Sequence, residues 1–523
     1  MFLPSLARRP RPHLLSRVAL AAALLALGGC TTIQVEVPPV SFSVPGQFDA
    51  VGEPTSGDPA VDISRWWKGF GDPALSELIE AGLRHNADVR IALARLAEAR
   101  AYLDVADSTR KPMVDAGASV SRGKQDPSTP SAAGLVLPGP VPIPIPIQTG
   151  DLPSANIPWG NARAHGLAMA WEFDVFGGLR AQSDMVASLV LGAQEQVHGA
   201  RLLVAGDIAS NYIEARAAMQ RMALLDEAIG VATRLRAYAQ GRFNAGQATA
   251  SDVDRAEIEL LHAQSKREPL QALLHRHLKR LAVLTGRTPQ SIQVLPLSSV
   301  TLTAPPLPHR LPGQVLERRP DVRGAAYKLR AQASKLGAAK AELFPKFYLG
   351  LSTVIGRAYP DDADSGGFSM QRIGVGMRLP IFHGGRIRAN IAVQSAQLDG
   401  LAVEYEKAIL SALEDVENAY VAKKAFDSQH RHLVRTAELA RRVANQREAL
   451  FMRGQDLLQP ALEARAKAFE REDERVRADA DHLLYTVQLY KALGGGWRAE
   501  EPEVQAAKER VSALPSSDEV NGL

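Results

Sequence analysis

The sequence predicts a mainly α-helical chain that carries four membrane-type β-strands, laid out as two copies of one plan. Three observations predict this. Asp88-Val89-Arg90 recurs as Asp321-Val322-Arg323, and the same landmarks follow each copy in the same order. Four segments of about ten residues alternate between apolar and small or polar positions, the period-two signature of strands. Two long stretches, Trp159 to Glu268 and Ile381 to Gln459, contain no proline. A repeated order of helix, strand, strand, long helix, turn and helix marks a duplicated architecture, not two unrelated domains.

The elements follow in chain order. Thr31 to Ile63 is rich in Pro, Val, Ser and Gly and reads as an extended tether. Trp66-Trp67-Lys68-Gly69-Phe70-Gly71-Asp72-Pro73 comes next, and its aromatics are expected to be packing anchors. A short helix from Pro73 to Arg84 leads to a longer one from Asp88 towards Arg110. Beyond Pro112, the first strand places Val114, Ala116, Ala118 and Val120 on one face. The second places Leu167, Met169, Trp171 and Phe173 on one face, and the opposite faces are read as carrying Ser119, Ser121 and His165. Between these strands, Arg122 to Asn161 holds nine of the 33 prolines, which forbids both helix and central strand and implies an extended exposed loop.

Phe176-Gly177-Gly178 then opens a helix of roughly 65 residues, on the order of 100 Å long. Its seam, Met222, Leu225, Ile229 and Ala232, steps by three or four residues. The helix turns at Phe243-Asn244-Ala245-Gly246 and returns from Ser251 to Leu284. A proline-rich segment from Arg287 to Pro312 links the halves. The second half repeats the plan. One strand presents Phe347, Leu349, Leu351, Thr353 and Ile355; its neighbour presents Ile373, Val375, Met377 and Leu379, with Arg372, Gly374, Gly376 and Arg378 opposite. The intervening loop is short and carries Asp361, Asp362 and Asp364. Phe382-His383-Gly384-Gly385 opens the second long helix, whose seam is Ile409, Leu413, Val416 and Tyr420. It turns at Phe451-Met452-Arg453-Gly454, and the return helix ends at Leu493-Gly494-Gly495-Gly496-Trp497.

The composition excludes several function classes. Removing Arg8, Arg9, Arg11 and Arg17, which precede a cleavage signal, leaves 57 of the 61 basic residues against 57 acidic ones, so the mature chain is neutral. No basic patch with interleaved aromatics points to nucleic acid. Gly241 to Gly246 has the glycine spacing of a phosphate loop, but Gln247-Ala248 stands where Lys-Ser/Thr is required. His275/His277 and His430/His432 are two apart, which on a helix points them to different faces, and they read as surface histidines, not metal pairs. Neither an enzyme, a metal nor a cofactor is expected.

The N-terminus reads as an export signal. Arginines precede the apolar run Val18 to Leu27, too short to span a bilayer. The run ends Leu27-Gly28-Gly29-Cys30, which resembles a bacterial lipobox, and Cys30 is the chain's single cysteine. A lone cysteine makes no internal disulfide; here it occupies the position at which acylation would anchor the chain to a membrane.

Apolar residues on one strand face with small or polar ones on the other fit a membrane barrel with a wet interior, although a half-buried soluble sheet reads the same strand by strand. Four strands cannot close by themselves, and an open edge in lipid leaves backbone groups without partners. Two chains would supply eight strands and three would supply twelve; physics permits both.

Together the quoted landmarks resemble the TolC/OprM outer-membrane factors. They are Trp66-Trp67-x-x-Phe70-Gly71-Asp72-Pro73, the Asp-Val-Arg pair, Trp171-Glu172-Phe173-Asp174-Val175-Phe176-Gly177-Gly178, Leu379-Pro380-Ile381-Phe382-His383-Gly384-Gly385-Arg386 and Leu489-Tyr490-Lys491-Ala492-Leu493-Gly494-Gly495-Gly496-Trp497. More narrowly, they resemble the lipoprotein branch that serves RND-type multidrug efflux systems. The resemblance implies a homotrimer with four strands per chain completing a shared twelve-stranded outer-membrane barrel, a long α-helical periplasmic barrel and a mixed equatorial domain. The division it implies is 1–29 lipoprotein signal peptide, 30–72 anchored tether and equatorial segment, 73–285 first repeat, 286–312 equatorial linker, 313–496 second repeat and 497–523 polar tail. Strands are expected at about 113–122, 162–175, 346–357 and 370–381. Partners would be a periplasmic adaptor, an inner-membrane RND-type pump and outer-membrane lipid.

The resemblance also assigns an aperture at the helix turns. Asp252 and Glu463 match inward acidic positions at the starts of the return helices, and Gln459 lies one turn before Glu463. Rings of such carboxylates would favour cations, whereas the simpler role is to favour a helix N-terminus electrostatically. Asp456 stands where some relatives carry a basic residue that locks the tunnel by pairing with the aspartate matched to Asp252. Asp456 cannot make that pair, and Arg453, Arg465 and Arg242 are the available substitutes. Pro460, at another often pore-side position, fits within a first helical turn. Adaptor contacts are assigned to Arg242, Phe243, Gly246, Phe451, Arg453 and Gly454. The expected function is the exit duct of a tripartite efflux pump passing drugs or small toxic compounds. The alternatives are the duct of a type I protein secretion system and a non-channel coiled-coil lipoprotein spacer.

Overall fold

The computed structural model describes residues 33, 35–49, 62–123, 160–291, 301–308, 312–360 and 366–497. Residues 1–29, Cys30, most of the proline-rich stretch, the acidic residues 361–365 and the tail beyond Trp497 lie outside them. Among the described residues the order is α1 (Pro73–His85), α2 (Ala87–Ser108), β1 (Met113–Gly123), β2 (Gly160–Phe173), α3 (Gly178–Asn244), α4 (Ala250–Ser265), α5 (Arg267–Leu284), α6 (Pro312–Leu316), α7 (Pro320–Ala341), β3 (Lys346–Pro360), β4 (Gly366–Arg378), α8 (Arg386–Met452) and α9 (Leu458–Ala492). The helices α3 and α8 each run 67 residues, about 100 Å at the α-helical rise. No described helix is long and apolar enough to cross a membrane.

The described residues form two compact units. The first falls within Arg100–Leu189 and Leu329–Ala402, and holds the sheet. Its order is β1-β2-β3-β4, antiparallel throughout. The duplicated hairpins are thus joined side by side through β2 and β3. Register aligns Val114 with Met169, Met169 with Leu351, and Leu351 with Ile373, so the apolar positions of all strands share one face. His165 faces Ala118 and Ile355 across the strands. It therefore lies on the apolar face, not opposite it as the sequence reading placed it, because 165, 167 and 169 share one parity. The strand β4 ends at Arg378, short of the expected 381, since Pro380 cannot donate to a ladder.

At the helix-proximal end of the sheet, Asp174 accepts the Leu179 and Arg180 N–H groups at 3.0 and 2.6 Å and starts α3. Trp171 Nε1 donates to the Arg110 carbonyl at 2.9 Å, and Phe176 stacks on Phe344 at 4.8 Å.

The second unit falls within Pro39–Ala99, Val190–Lys328 and Val403–Leu523. Its core gathers Trp66, Trp67 and Phe70 with Leu75, Ile208, Tyr212, Tyr490 and Leu493. Trp66 stacks on Tyr490 at 5.7 Å. Asp72 explains the end of that motif: it caps α1 through the Ala74 N–H at 2.9 Å, ahead of Pro73 at a position that needs no donor. Its other oxygen accepts from buried Tyr212 Oη at 2.7 Å and half-buried Arg216 Nη1 at 2.9 Å. The repeat-matched Tyr420 has a different task, donating to the Pro308 carbonyl at 2.6 Å, while Tyr490 donates to Pro306 at 2.7 Å. These two hydroxyls tie down the linker segment. The glycine run closes α9: Gly494 and Gly496 hold positive φ of 73° and 98°, and a Cβ on Gly495 would sit 2.9 Å from the Ile63 carbonyl and 3.0 Å from Trp66.

Two expectations are corrected in this unit. The first return helix is not continuous but breaks at Lys266, between α4 and α5. Pro269 accounts for the break, because its ring excludes the carbonyl of Ser265 four residues back from a helical bond. The histidines read as surface groups are not all so. His277 is buried, its Nδ1 3.0 Å from Asn211 Oδ1. His430 is half-buried, donates through Nε2 to Asp479 at 2.7 Å and stacks on His482 at 4.9 Å. Helix-to-helix packing, invisible to spacing along one helix, covers them.

Candidate functional site

The sheet offers two chemically distinct faces. One carries Phe173, Trp171, Met169 and Leu167 of β2, Phe347, Leu349, Leu351 and Ile355 of β3, and Ile373, Val375 and Met377 of β4. Ile373 and Val375 are 77% and 76% exposed, far too apolar a surface for water when repeated across four strands. The other face carries Asp115, Gly117 and Ser119 of β1, Ala168, Gly166 and Ala164 of β2, Gly350 and Ser352 of β3, and Arg372, Gly374 and Gly376 of β4. Among the described residues, the strands β1 and β4 each have one unpaired edge. Apolar outside, small and polar inside, with edges waiting for partners, is the chemistry of a wall segment of a water-filled membrane barrel.

A second candidate region is the pair of helix turns in the other unit. Both are built alike. The Gln247 N–H reaches the Arg242 carbonyl at 2.8 Å and the Gln455 N–H reaches Leu450 at 2.9 Å. Gly246 and Gly454 supply the left-handed residue, with φ of 69° and 72°, that this helix stop requires. Phe243 is exposed, and Arg453 and Gly454 lie on the surface. Phe451 does not simply face solvent: it packs edge-on against Tyr238 at 5.2 Å and so joins the end of α8 to α3. Arg242 Nη2 donates to the Gln247 carbonyl at 3.1 Å within its own turn.

Each aperture candidate has a definite place. Asp252 closes a capping box with Thr249, accepting its N–H at 2.9 Å and its hydroxyl at 2.8 Å. These two hydrogen bonds hold its carboxyl below the usual carboxylate range. Asp456 accepts from Arg447 Nη1 at 2.9 Å and from the Leu457 N–H at 2.9 Å; the Arg447 bond first, then the backbone bond, lower its pKa. Of the arginines suggested as substitute partners for Asp252, Arg242 donates to the Gln247 carbonyl of its own turn, and Arg465 bonds Asn445 at 3.2 Å and Glu227 at 3.4 Å. Gln459 and Glu463 are brought together, Gln459 Nε2 donating to Glu463 Oε1 at 3.0 Å. Pro460 sits in the first turn of α9, where no intrahelical donor is lost.

Sequence reasoning missed Arg255. Its Nη1 donates to Gln459 Oε1 at 3.1 Å, linking α4 to α9. With Arg465–Glu227 and Tyr238–Phe451, it clasps the two helix hairpins at their tips. The one sequence signal was its place three residues after Asp252, on the same helical face. Arg447 gave no signal, because its pairing closes across a turn.

The chain matches the sequence profile described as "Outer membrane efflux protein" over residues 78–287 and 311–495. It belongs to the outer membrane efflux protein family. Among curated relatives it is similar to the pyoverdine export outer membrane protein OpmQ of Pseudomonas aeruginosa, 28% identical over 489 residues that cover 93% of this chain and 98% of the relative. The toluene efflux pump outer membrane protein TtgC of Pseudomonas putida is 28% identical over 490 residues, covering 92% and 96%. Among solved structures, the outer-membrane channel OprN is 27% identical with a TM-score of 0.73, covering 90% of this chain and 99% of its own. The open state of the Neisseria gonorrhoeae MtrE channel, at 22% identity and a TM-score of 0.72, shares the fold. This efflux protein is therefore a TolC-like channel protein of the outer membrane, serving as an exit duct for efflux. Its family is one of channels rather than enzymes.

Proposed function

We propose that the protein acts as a lipid-anchored homotrimer, the exit duct of a tripartite RND-type pump that passes drugs or small toxic organic compounds out of the periplasm. The observation that carries this reading is the open four-stranded sheet with one apolar face and two unpaired edges. In lipid each edge would leave a row of backbone groups without partners. Three copies close a twelve-stranded wall and satisfy every edge. Family membership supports the trimer and the partners, since relatives such as TtgC are named as components of efflux pumps.

The lipid anchor belongs to this proposal: acylation of Cys30 would hold the N-terminus in the membrane. The tips supply the adaptor surface, through Arg242, Phe243, Gly246, Phe451, Arg453 and Gly454. They also supply the narrow end. There Asp252, Gln459 and Glu463 would each recur three times around the axis, and Arg255 would hold Gln459 and Glu463 in the closed arrangement. Asp456, engaged by Arg447, sets the turn and takes no direct part in the ring.

Planar-bilayer recording on the purified protein, with chemical cross-linking and mass spectrometry, tests the proposal. Channel current, a cross-linked trimer and a mass increase on Cys30 that disappears in Cys30→Ser are expected. A dimer, or a membrane protein without current, defeats the duct reading. A deletion strain that keeps full drug resistance while losing a secreted protein assigns the duct to protein secretion instead.

A further inference from the structure

The apolar face of the sheet ends at a defined row. Register places Arg163 of β2 directly opposite Arg357 of β3, and both side chains lie on the apolar face, exposed. On the same strands, the row Phe173–Phe347 marks the other end of that face. Ten residues separate the two rows on β2, as the numbering shows. At about 3.4 Å per residue and a tilt near 40°, they stand roughly 26 Å apart along the membrane normal. That is the height of an apolar membrane band. The helices connect to the Phe173–Phe347 end, so the arginine row lies at the hairpin end, the outer leaflet of the proposed duct.

Two like charges directly opposite on neighbouring strands repel each other. The Arg163 guanidinium lies 5.8 Å over the Tyr359 ring, which holds it on the outward face without neutralising it. No carboxylate on the described strands shares that face, because Asp115 and Glu172 have the opposite parity. Arg122, diagonal to Arg163 in the next row, adds a third cation to the face. A flat, outward-facing pair of guanidinium forks at headgroup depth matches one chemistry well: a phosphate group that accepts bidentate hydrogen bonds from both.

We infer that Arg163 and Arg357 form a binding site for the phosphate group of an outer-leaflet lipid, fixed where the apolar wall meets the headgroups. The inference rests on the reading that the apolar face meets lipid. The phosphate removes the cross-strand repulsion, and the arginines tie the barrel to its lipid collar at a set depth. The chain's own Asp361, Asp362 and Asp364, which follow β3 in sequence, are the competing partners.

Native mass spectrometry of the full-length protein in detergent, titrated with diphosphorylated lipid A and with the same lipid after enzymatic dephosphorylation, tests the site. The wild type should prefer the phosphorylated lipid by about tenfold or more, and R163Q/R357Q should lose that preference. Should the double variant fail to assemble, R357Q alone, which leaves Arg163 on Tyr359, should lose most of it. Equal preference in the variants and wild type overturns the site. So does a wild type that shows no preference and acquires one only in D361N/D362N/D364N, since those carboxylates then occupy the arginines. Bilayer conductance of the same samples separates the two readings. A wild type without current removes the lipid-facing assignment itself; current with phosphate-indifferent binding removes only the arginine site.

Discussion

Acidification should weaken the helical unit through His198. This ring is buried, stacks on Trp497 at 4.1 Å and has neighbours in Arg318 and Arg323, which lie 5.3 and 5.1 Å over that same indole. Burial, then the positive charge of Arg201, Arg323 and Arg318, pushes its pKa down from 6.5 to about 3. The folded chain thus holds a neutral ring, while the unfolded chain takes up a proton below 6.5. Stability is complete above pH 6.5 and is lost as pH falls from there towards 3. At pH 5 the loss amounts to about 2 kcal/mol, from about 1.4 kcal/mol per pH unit. His198→Phe keeps the stack on Trp497 and cannot bind the proton. Guanidinium unfolding followed by helical circular dichroism at pH 7 and pH 5, in detergent, should show the wild type losing about 2 kcal/mol more than the variant. The same loss in both proteins refutes the reasoning and moves the acid-sensitive group elsewhere, for which half-buried His482, also pushed below its ordinary value by burial and by Lys423, is the next candidate.

Four further outcomes are expected. Asp72→Ala removes the α1 cap and leaves the Arg216 guanidinium, 10% exposed, without its carboxylate, so it should cost about 3–5 kcal/mol and lower the denaturation midpoint; an unchanged midpoint rejects the network. Arg255→Ala should raise single-channel conductance or open probability by freeing α4 from α9, with stability moved by less than about 1 kcal/mol because the pair is exposed; identical currents would remove Arg255 from the clasp. Glu463→Ala should shift the reversal potential in a KCl gradient towards zero, and an unaltered cation preference takes the residue out of the pore. Thr249→Ala should cost about 1 kcal/mol and speed hydrogen exchange in the first turn of α4, whereas equal protection would mean that the capping box is not maintained in solution.

Much of the fold was legible because it is periodic. Alternation announced four strands, and the lack of proline announced two helices of unusual length. The Gly-containing turns were legible too, since a left-handed residue leaves few choices. Where local rules ran out, the errors were specific. His165 was put on the wrong face by a parity slip that the cross-strand register exposes. His277 was read as a surface group because the sequence does not say which helix covers which. The role of Pro269 was hidden until a carbonyl had to find its partner.

At the site the division is similar. Sequence alone determined that the turns exist, that an acidic residue, Asp252, starts the first return helix, and that the strands alternate apolar with small or polar positions. Each follows from interactions within a few residues, whose geometry the chain fixes locally. Only the tertiary structure decided that Asp72 holds Tyr212 and Arg216, that Arg255 reaches Gln459, and that β2 lies beside β3 to join the two repeats. Those partners stand more than a hundred residues apart, and nothing in local backbone preference selects among the candidates. The choice is made when buried groups must all find partners in one packing, a condition on the assembled fold that no segment meets alone.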